Sequence, residues 1–115
     1  MSIIVSVGEK VPELAAKNMV ILFSEKAPQD LKEYCVVHNS EQKIVDFTPG
    51  YVILGDSQYE IKEIGSAAIQ NFNDIGHLTL QFNKDSQDIQ PGSVSISEPL
   101  HAIPKQGDII KFEAR

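Results

Sequence analysis

The sequence predicts a mainly β fold: a compact closed or partly closed β-barrel built from a duplicated unit, with one or two short helices. Three observations carry this. Apolar residues recur with period two or in short runs, each closed by Gly, Pro, Asn or Asp. Only two segments have helix-like composition, and both are short. Two blocks of the chain resemble each other.

The elements follow in order. Residues 18–23, "NMVILF", are apolar on both faces and predict a buried strand. Residues 27–34, "APQDLKEY", place Pro28 in a first turn with acids early and predict a short helix. "CVVH" (35–38) is strand-like and runs into the turn signal Asn39-Ser40. "GYVILG" (50–55) and "YEIKEIG" (59–65) flank "GDSQ", a hairpin-like turn. Residues 66–74, "SAAIQNFND", offer a Ser cap and good helix formers. "HLTLQF" (77–82) alternates, with Leu78, Leu80 and Phe82 on one face and His77, Thr79 and Gln81 on the other. "GSVSIS" (92–97) points Val94 and Ile96 inward and three serines outward, and "GDIIKFEA" (107–114) closes the chain as a strand.

The duplication pairs residues 7–23 with 64–82, each with an early Gly, apolar middle residues and a strand ending in Phe. It then pairs "TPGYVIL" (48–54) with "QPGSVSI" (90–96). On that pairing Phe23 and Pro49 lie 26 positions apart but Phe82 and Pro91 only 9. Residues 30–42, "DLKEYCVVHNSEQ", then read as an insertion that barrel closure does not require, the kind of segment on which sites are built.

At 115 residues, with 42% apolar and 23% charged residues, the chain predicts one soluble domain over 1–115. A single cysteine makes no internal disulfide, and no segment approaches the roughly 20 apolar residues of a membrane helix. The N-terminal "MSIIVSVGEK" lacks a basic region and does not read as a signal peptide, so a cytoplasmic location is expected. The net charge of −6, without a basic cluster, disfavours nucleic acid and suits a partner with a basic rim.

Among the candidates for chemistry, His38 stands at a strand end beside a turn. An imidazole there with one nitrogen oriented and the other facing solvent suits a nucleophile or proton shuttle; a half-exposed strand cap fits the same residues. Cys35 and His38 have Cys-x-x-His spacing, but zinc needs three or four ligands, and alternation puts the two side chains on opposite faces. A buried free thiol acting as a small hydrophobe fits Cys35 as well. His77, on the polar face of its strand, orients His38 if the repeats pair across a barrel, or is simply solvated. His101 has no chemical company. A Gly-rich phosphate loop, a Ser nucleophile elbow and a base-stacking platform are all missing.

"ILFSEKAPQDLKEYCVVH", "TPGYVILG", "EIGSAAIQNFNDIGHLTLQF" and "QPGSVSI" together resemble the glucitol/sorbitol-specific IIA component of the bacterial phosphoenolpyruvate-dependent sugar phosphotransferase system (PTS). The likeness runs from about residue 3 to residue 113. It implies a cytoplasmic phosphocarrier with a compact barrel-like fold. Such a carrier takes a phosphoryl group from the phosphocarrier protein HPr onto a histidine and passes it to the IIB component, for uptake and phosphorylation of sorbitol by IIB/IIC. The acceptor falls on His38 by match to the C-x-x-H motif. Cys35 belongs to the motif without accepting phosphate, and His77 matches a histidine of the second block. The resemblance requires no metal or nucleotide cofactor. Asn39, Ser40 and turn amides are the expected donors to the phosphoryl oxygens, and Tyr34, Val36 and Ile44 the expected apolar surround. The alternative is an adaptor or regulatory β-barrel that binds PTS partners without transfer.

Overall fold

The computed structural model describes residues 2–45, 48–84 and 88–114. The chain runs β1 (Ile4–Val7), α1 (Val11–Ala15), β2 (Met19–Ser24), a 3₁₀ turn (Lys32–Tyr34), β3 (Cys35–His38), β4 (Pro49–Leu54), β5 (Ser57–Glu60), β6 (Glu63–Ile64), α2 (Ala68–Ile75), β7 (Leu78–Gln81), β8 (Ser93–Ser95) and β9 (Ile110–Ala114). Six strands form one sheet in the order β1-β3-β2-β7-β8-β6, and three form a second, β5-β4-β9. The sheets meet where Ile3 bridges Ile109 and the Ile4 amide donates to Asp108. Around a shared core of Leu22, Val36, Val52, Tyr59, Leu80 and Phe112 they make the expected mainly β, partly closed barrel.

The duplication is a pseudo-dyad lying between β2 and β7, which pair antiparallel. On one side β2 runs parallel to β3, which pairs antiparallel with β1; on the other, β7 runs parallel to β8, which pairs antiparallel with β6. The backbone repeats the match. Gly8 donates to Cys35 and Lys10 to Glu33, as Gly65 donates to Ser93 and Ala67 to Pro91. Cys35 therefore corresponds to Ser93, and Ile96, one residue past β8, to His38.

This register corrects the second half of the sequence pairing. "PGYVIL" forms β4 in the other sheet, so its counterpart is not "PGSVSI"; that segment carries β8, whose partner in the first half is β3. Residues 30–42 are consequently not an insertion. Residues 25–34 are the crossover from β2 to β3, and residues 82–92 between β7 and β8 are only one residue longer. The shared Pro-Gly misled because turn residues precede strands generally.

The expected helix over residues 27–34 shrinks to the 3₁₀ turn Lys32–Tyr34, entered by turns in which Leu31 and Lys32 donate to the Pro28 carbonyl. Ten residues must carry the chain over the sheet to a parallel neighbour, which leaves no length for a full crossover helix. The crossover buries Ala27 against Phe23, Cys35 and Val37 on the face of the sheet away from the main core. The expected helix near 66–74 is α2, and α1, not foreseen, starts with Pro12 and Glu13 in its first turn. Ser93 and Ser95 are buried, contrary to the outward expectation. β8 is an interior strand, and the Ser95 hydroxyl accepts the Glu63 amide.

Candidate functional site

His38 ends β3, and strand alternation decides what its ring meets. Val36 and His38 face the main core, while Cys35 and Val37 face the crossover. The ring stacks against Phe72 of α2 with centroids 5.5 Å apart and planes at 21°. It is fully buried at 0% exposure, so neither nitrogen faces solvent as the sequence suggested. An aromatic from α2, not Tyr34, is its apolar partner.

Both ring nitrogens are bonded. Nε2 lies 2.8 Å from the Gly76 carbonyl oxygen, and the Ser40 amide N–H donates to Nδ1 at 3.1 Å. A carbonyl only accepts and an amide N–H only donates, so Nε2 carries the proton and Nδ1 the lone pair. Burial pushes the imidazole below its ordinary pKa of 6.5, against a smaller upward pull from the Gly76 bond. The ring is neutral at pH 7.

Gly76 occupies this place because α2 must end there. It adopts the left-handed conformation, φ 69°, and its N–H closes the helix onto the Phe72 carbonyl while the His77 N–H reaches the Asn71 carbonyl. The pseudo-dyad makes the local departure visible. Asn18, its left-handed counterpart at φ 65°, offers its carbonyl to the Phe82 amide, whereas the Gly76 carbonyl takes the His38 ring. One half of the duplicated unit thus spends this carbonyl on framework and the other on an imidazole.

The segment after His38 is held by side chains acting as strand partners. Asn39 exchanges two bonds with Ile3, its backbone N–H donating to the carbonyl and its side-chain Oδ1 accepting the Ile3 N–H. Gln42 makes both bonds to the Phe112 backbone with its side-chain amide, and Asn73 of α2 does so with Ile44. The Ser40 hydroxyl accepts the Gln42 amide and lies 3.2 Å from the Ser2 hydroxyl. Lys43 donates to the Asn73 carbonyl.

An open cleft of about 440 Å³ lies here, lined among others by Ser24, Lys26, His38, Ser40, Lys43 and Asn73. Its rim mixes Lys26 and Lys43 with Glu25, Glu41 and Asp74. Among the described residues no three His, Cys, Asp or Glu side chains gather as metal ligands. Cys35 lies beneath the crossover, its thiol pushed up in pKa by burial.

Of the residues singled out in the sequence, the structure brings His38, Asn39 and Ser40 together. His77 comes near only through its neighbour. Its ring stacks on Phe23 at 4.5 Å and 11°, on the crossover face of the sheet, while the carbonyl of Gly76 reaches His38. His101 packs on Tyr59 and pairs with Glu98, away from the cleft. Sequence reasoning missed Phe72, Asn73, Gln42 and Gly76. Only Gly76 had a signal, as a glycine closing a helical run before a strand.

Fold and site define a duplicated, partly closed β domain that holds one oriented, neutral histidine beneath a surface cleft. The model of the PTS system glucitol/sorbitol-specific IIA component family matches residues 1–111, and the chain belongs to that family. Glucitol/sorbitol-specific EIIA components of Shigella flexneri and Escherichia coli K12 are each 32% identical over 112 residues, covering 96% of this chain and 91% of the relative. The crystal structure of a PTS system IIA component from Enterococcus faecalis V583 superposes with a TM-score of 0.85 at 26% identity, covering 96% of this chain and 97% of that one. The protein is a component of a sugar phosphotransferase system.

Proposed function

We propose that this component is a phosphocarrier in which His38 accepts a phosphoryl group from phospho-HPr and passes it to the IIB component, for uptake and phosphorylation of sorbitol by the IIB/IIC permease on the cytoplasmic side. The observation that carries the reading is the held tautomer of His38, a residue that lines the cleft: Nε2 is anchored on the Gly76 carbonyl, and Nδ1 bears the lone pair, which accepts the Ser40 amide N–H. Phosphoryl transfer asks for little else. It needs an unprotonated, positioned nucleophile and donors for the equatorial oxygens. The Ser40 amide and the Lys26 and Lys43 ammonium groups, from residues that line the same cleft as His38, are the donors we assign. Asn39, its Oδ1 committed to Ile3, sets the turn that presents Ser40. His77 supports the site through the Phe23 stack that carries its strand, not through contact with the imidazole.

The alternative, an adaptor without transfer, draws on one observation, the complete burial of His38. One experiment separates the two. The protein is incubated with HPr, the enzyme that phosphorylates HPr, and labelled phosphoenolpyruvate. A carrier gains one acid-labile, alkali-stable phosphate, and His38→Gln gains none. Label persisting in His38→Gln would falsify the assignment, and an unlabelled but correctly folded wild type would leave the adaptor.

A further inference from the structure

We propose that Ser24, the last residue of β2, binds the phosphoryl group carried by His38, donating hydrogen bonds to its oxygens from the backbone N–H and the hydroxyl. This rests on His38 being the acceptor.

Ser24 stands beside the imidazole. It is the register partner of His38 in the parallel pair of β2 and β3. Leu22 and Val36, the partners two residues earlier, both face the main core, so alternation puts Ser24 and His38 on that same face. The point where a Gly76 Cβ would stand is 2.8 Å from the Ser24 Cβ and 3.0 Å from the His38 Cε1. Cε1 is the ring carbon bonded to both nitrogens, so neither nitrogen lies more than one bond further off. Ser24 and His38 line the same cleft.

The pseudo-dyad shows what frees the donors. The correspondence that sets His38 against Ile96 and Gly76 against Asn18 sets Ser24 against Phe82. In that half the Phe82 N–H donates to the Asn18 carbonyl at 2.8 Å, and the Phe82 ring is buried in the core. In this half the Gly76 carbonyl takes the His38 ring, and among the described residues no bond joins it to the Ser24 N–H. A peptide N–H without its framework acceptor is a donor open to an anion. The side chain departs in the same sense, since a small hydroxyl residue lines the cleft where the other half packs a phenyl ring. The Ser24 hydroxyl accepts the Lys26 N–H at 3.2 Å, which leaves its own proton to donate.

Nothing covalent is asked of Ser24. A lone pair of the His38 ring forms the new N–P bond, the bond from phosphorus to the donor breaks, and its electron pair leaves with the donor. Charge is spread over the three equatorial oxygens as this happens, and donors fixed at a strand end meet it without rearranging.

The test uses the full chain and phospho-HPr. Folded Ser24→Ala, which keeps the N–H and loses the hydroxyl, is expected to be labelled at His38 about tenfold or more slowly than wild type. Because loss of the Lys26 bond also slows a site that merely needs its turn, the Ser24 amide of ¹⁵N-labelled wild type is followed by nuclear magnetic resonance. On phosphorylation its proton resonance is expected to move downfield and its exchange with solvent to slow. Wild-type labelling rate in Ser24→Ala, or a Ser24 amide that neither shifts nor gains protection, overturns the proposal and leaves His38 as acceptor. Phosphate absent from His38 in the wild type overturns both.

Discussion

Gly76→Ala is the perturbation that probes the site through its backbone. An L side chain at φ 69° costs about 1–2 kcal/mol. An added Cβ would also stand 2.8 Å from the Ser24 Cβ and 3.0 Å from both the His38 Cε1 and the Ser24 amide nitrogen. Carbon atoms prefer roughly 3.5–4.0 Å, so strand and imidazole must yield. Such overpacking adds about 1–3 kcal/mol. Gly107→Ala is the internal control, because its φ of 92° carries a backbone cost with nothing within 4 Å of the new carbon. Urea unfolding of both variants should show Gly76→Ala losing about 1–3 kcal/mol more than Gly107→Ala, the steric part alone. Phosphoryl transfer from phospho-HPr should slow by about tenfold or more in Gly76→Ala, since misplacement by about 1 Å is enough for up to a hundredfold loss. Transfer should persist in Gly107→Ala. Equal stability losses, or wild-type transfer by Gly76→Ala, would refute the reasoning that this corner holds the imidazole.

Asn73→Ala removes two bonds to the Ile44 backbone and should cost about 1–3 kcal/mol by denaturant titration, with faster amide exchange at Ile44. Acid should destabilise the fold through His38: its folded pKa lies below the ordinary 6.5, so its stabilising effect is present above that value and is lost as pH falls through the folded pKa. Unfolding free energies across that range should fall less steeply in His38→Gln; an unchanged slope would mean that the buried ring is not neutral. His77→Ala should lose about 0.5–1.5 kcal/mol with the Phe23 stack and still be labelled at His38, whereas abolished labelling in a folded variant would give His77 a direct part.

Strands were legible where one face packs and the other does not. Leu78 and Leu80 of β7 follow the period their burial requires. β8 was found with Val94 and Ile96 inward, but its serines were misplaced because a strand covered on both faces has no reason to alternate, and small hydroxyl residues satisfy such a place with a bond like Ser95 to Glu63. The duplication was visible in its first half, where Gly, helix and strand recur. Its second half was mispaired because Pro-Gly marks a turn and not a position in the sheet. His38 was singled out through the family's motif and its strand-end place. The groups around it come from α2 and β9, dozens of residues away, and nothing in local spacing says that Gly76 will present a carbonyl or that Asn73 and Gln42 will act as strand partners. Cys35, the conspicuous residue, proved to be packing beneath the crossover.

The most direct test of the central claim is where phosphate sits after reaction with phospho-HPr. Mass spectrometry of the labelled chain, cleaved and fragmented under conditions that preserve phosphoramidates, should place a single phosphate on His38, and that phosphate should disappear on addition of the IIB component. Phosphate on His77 or His101, or phosphate on His38 that IIB does not remove, would contradict the account.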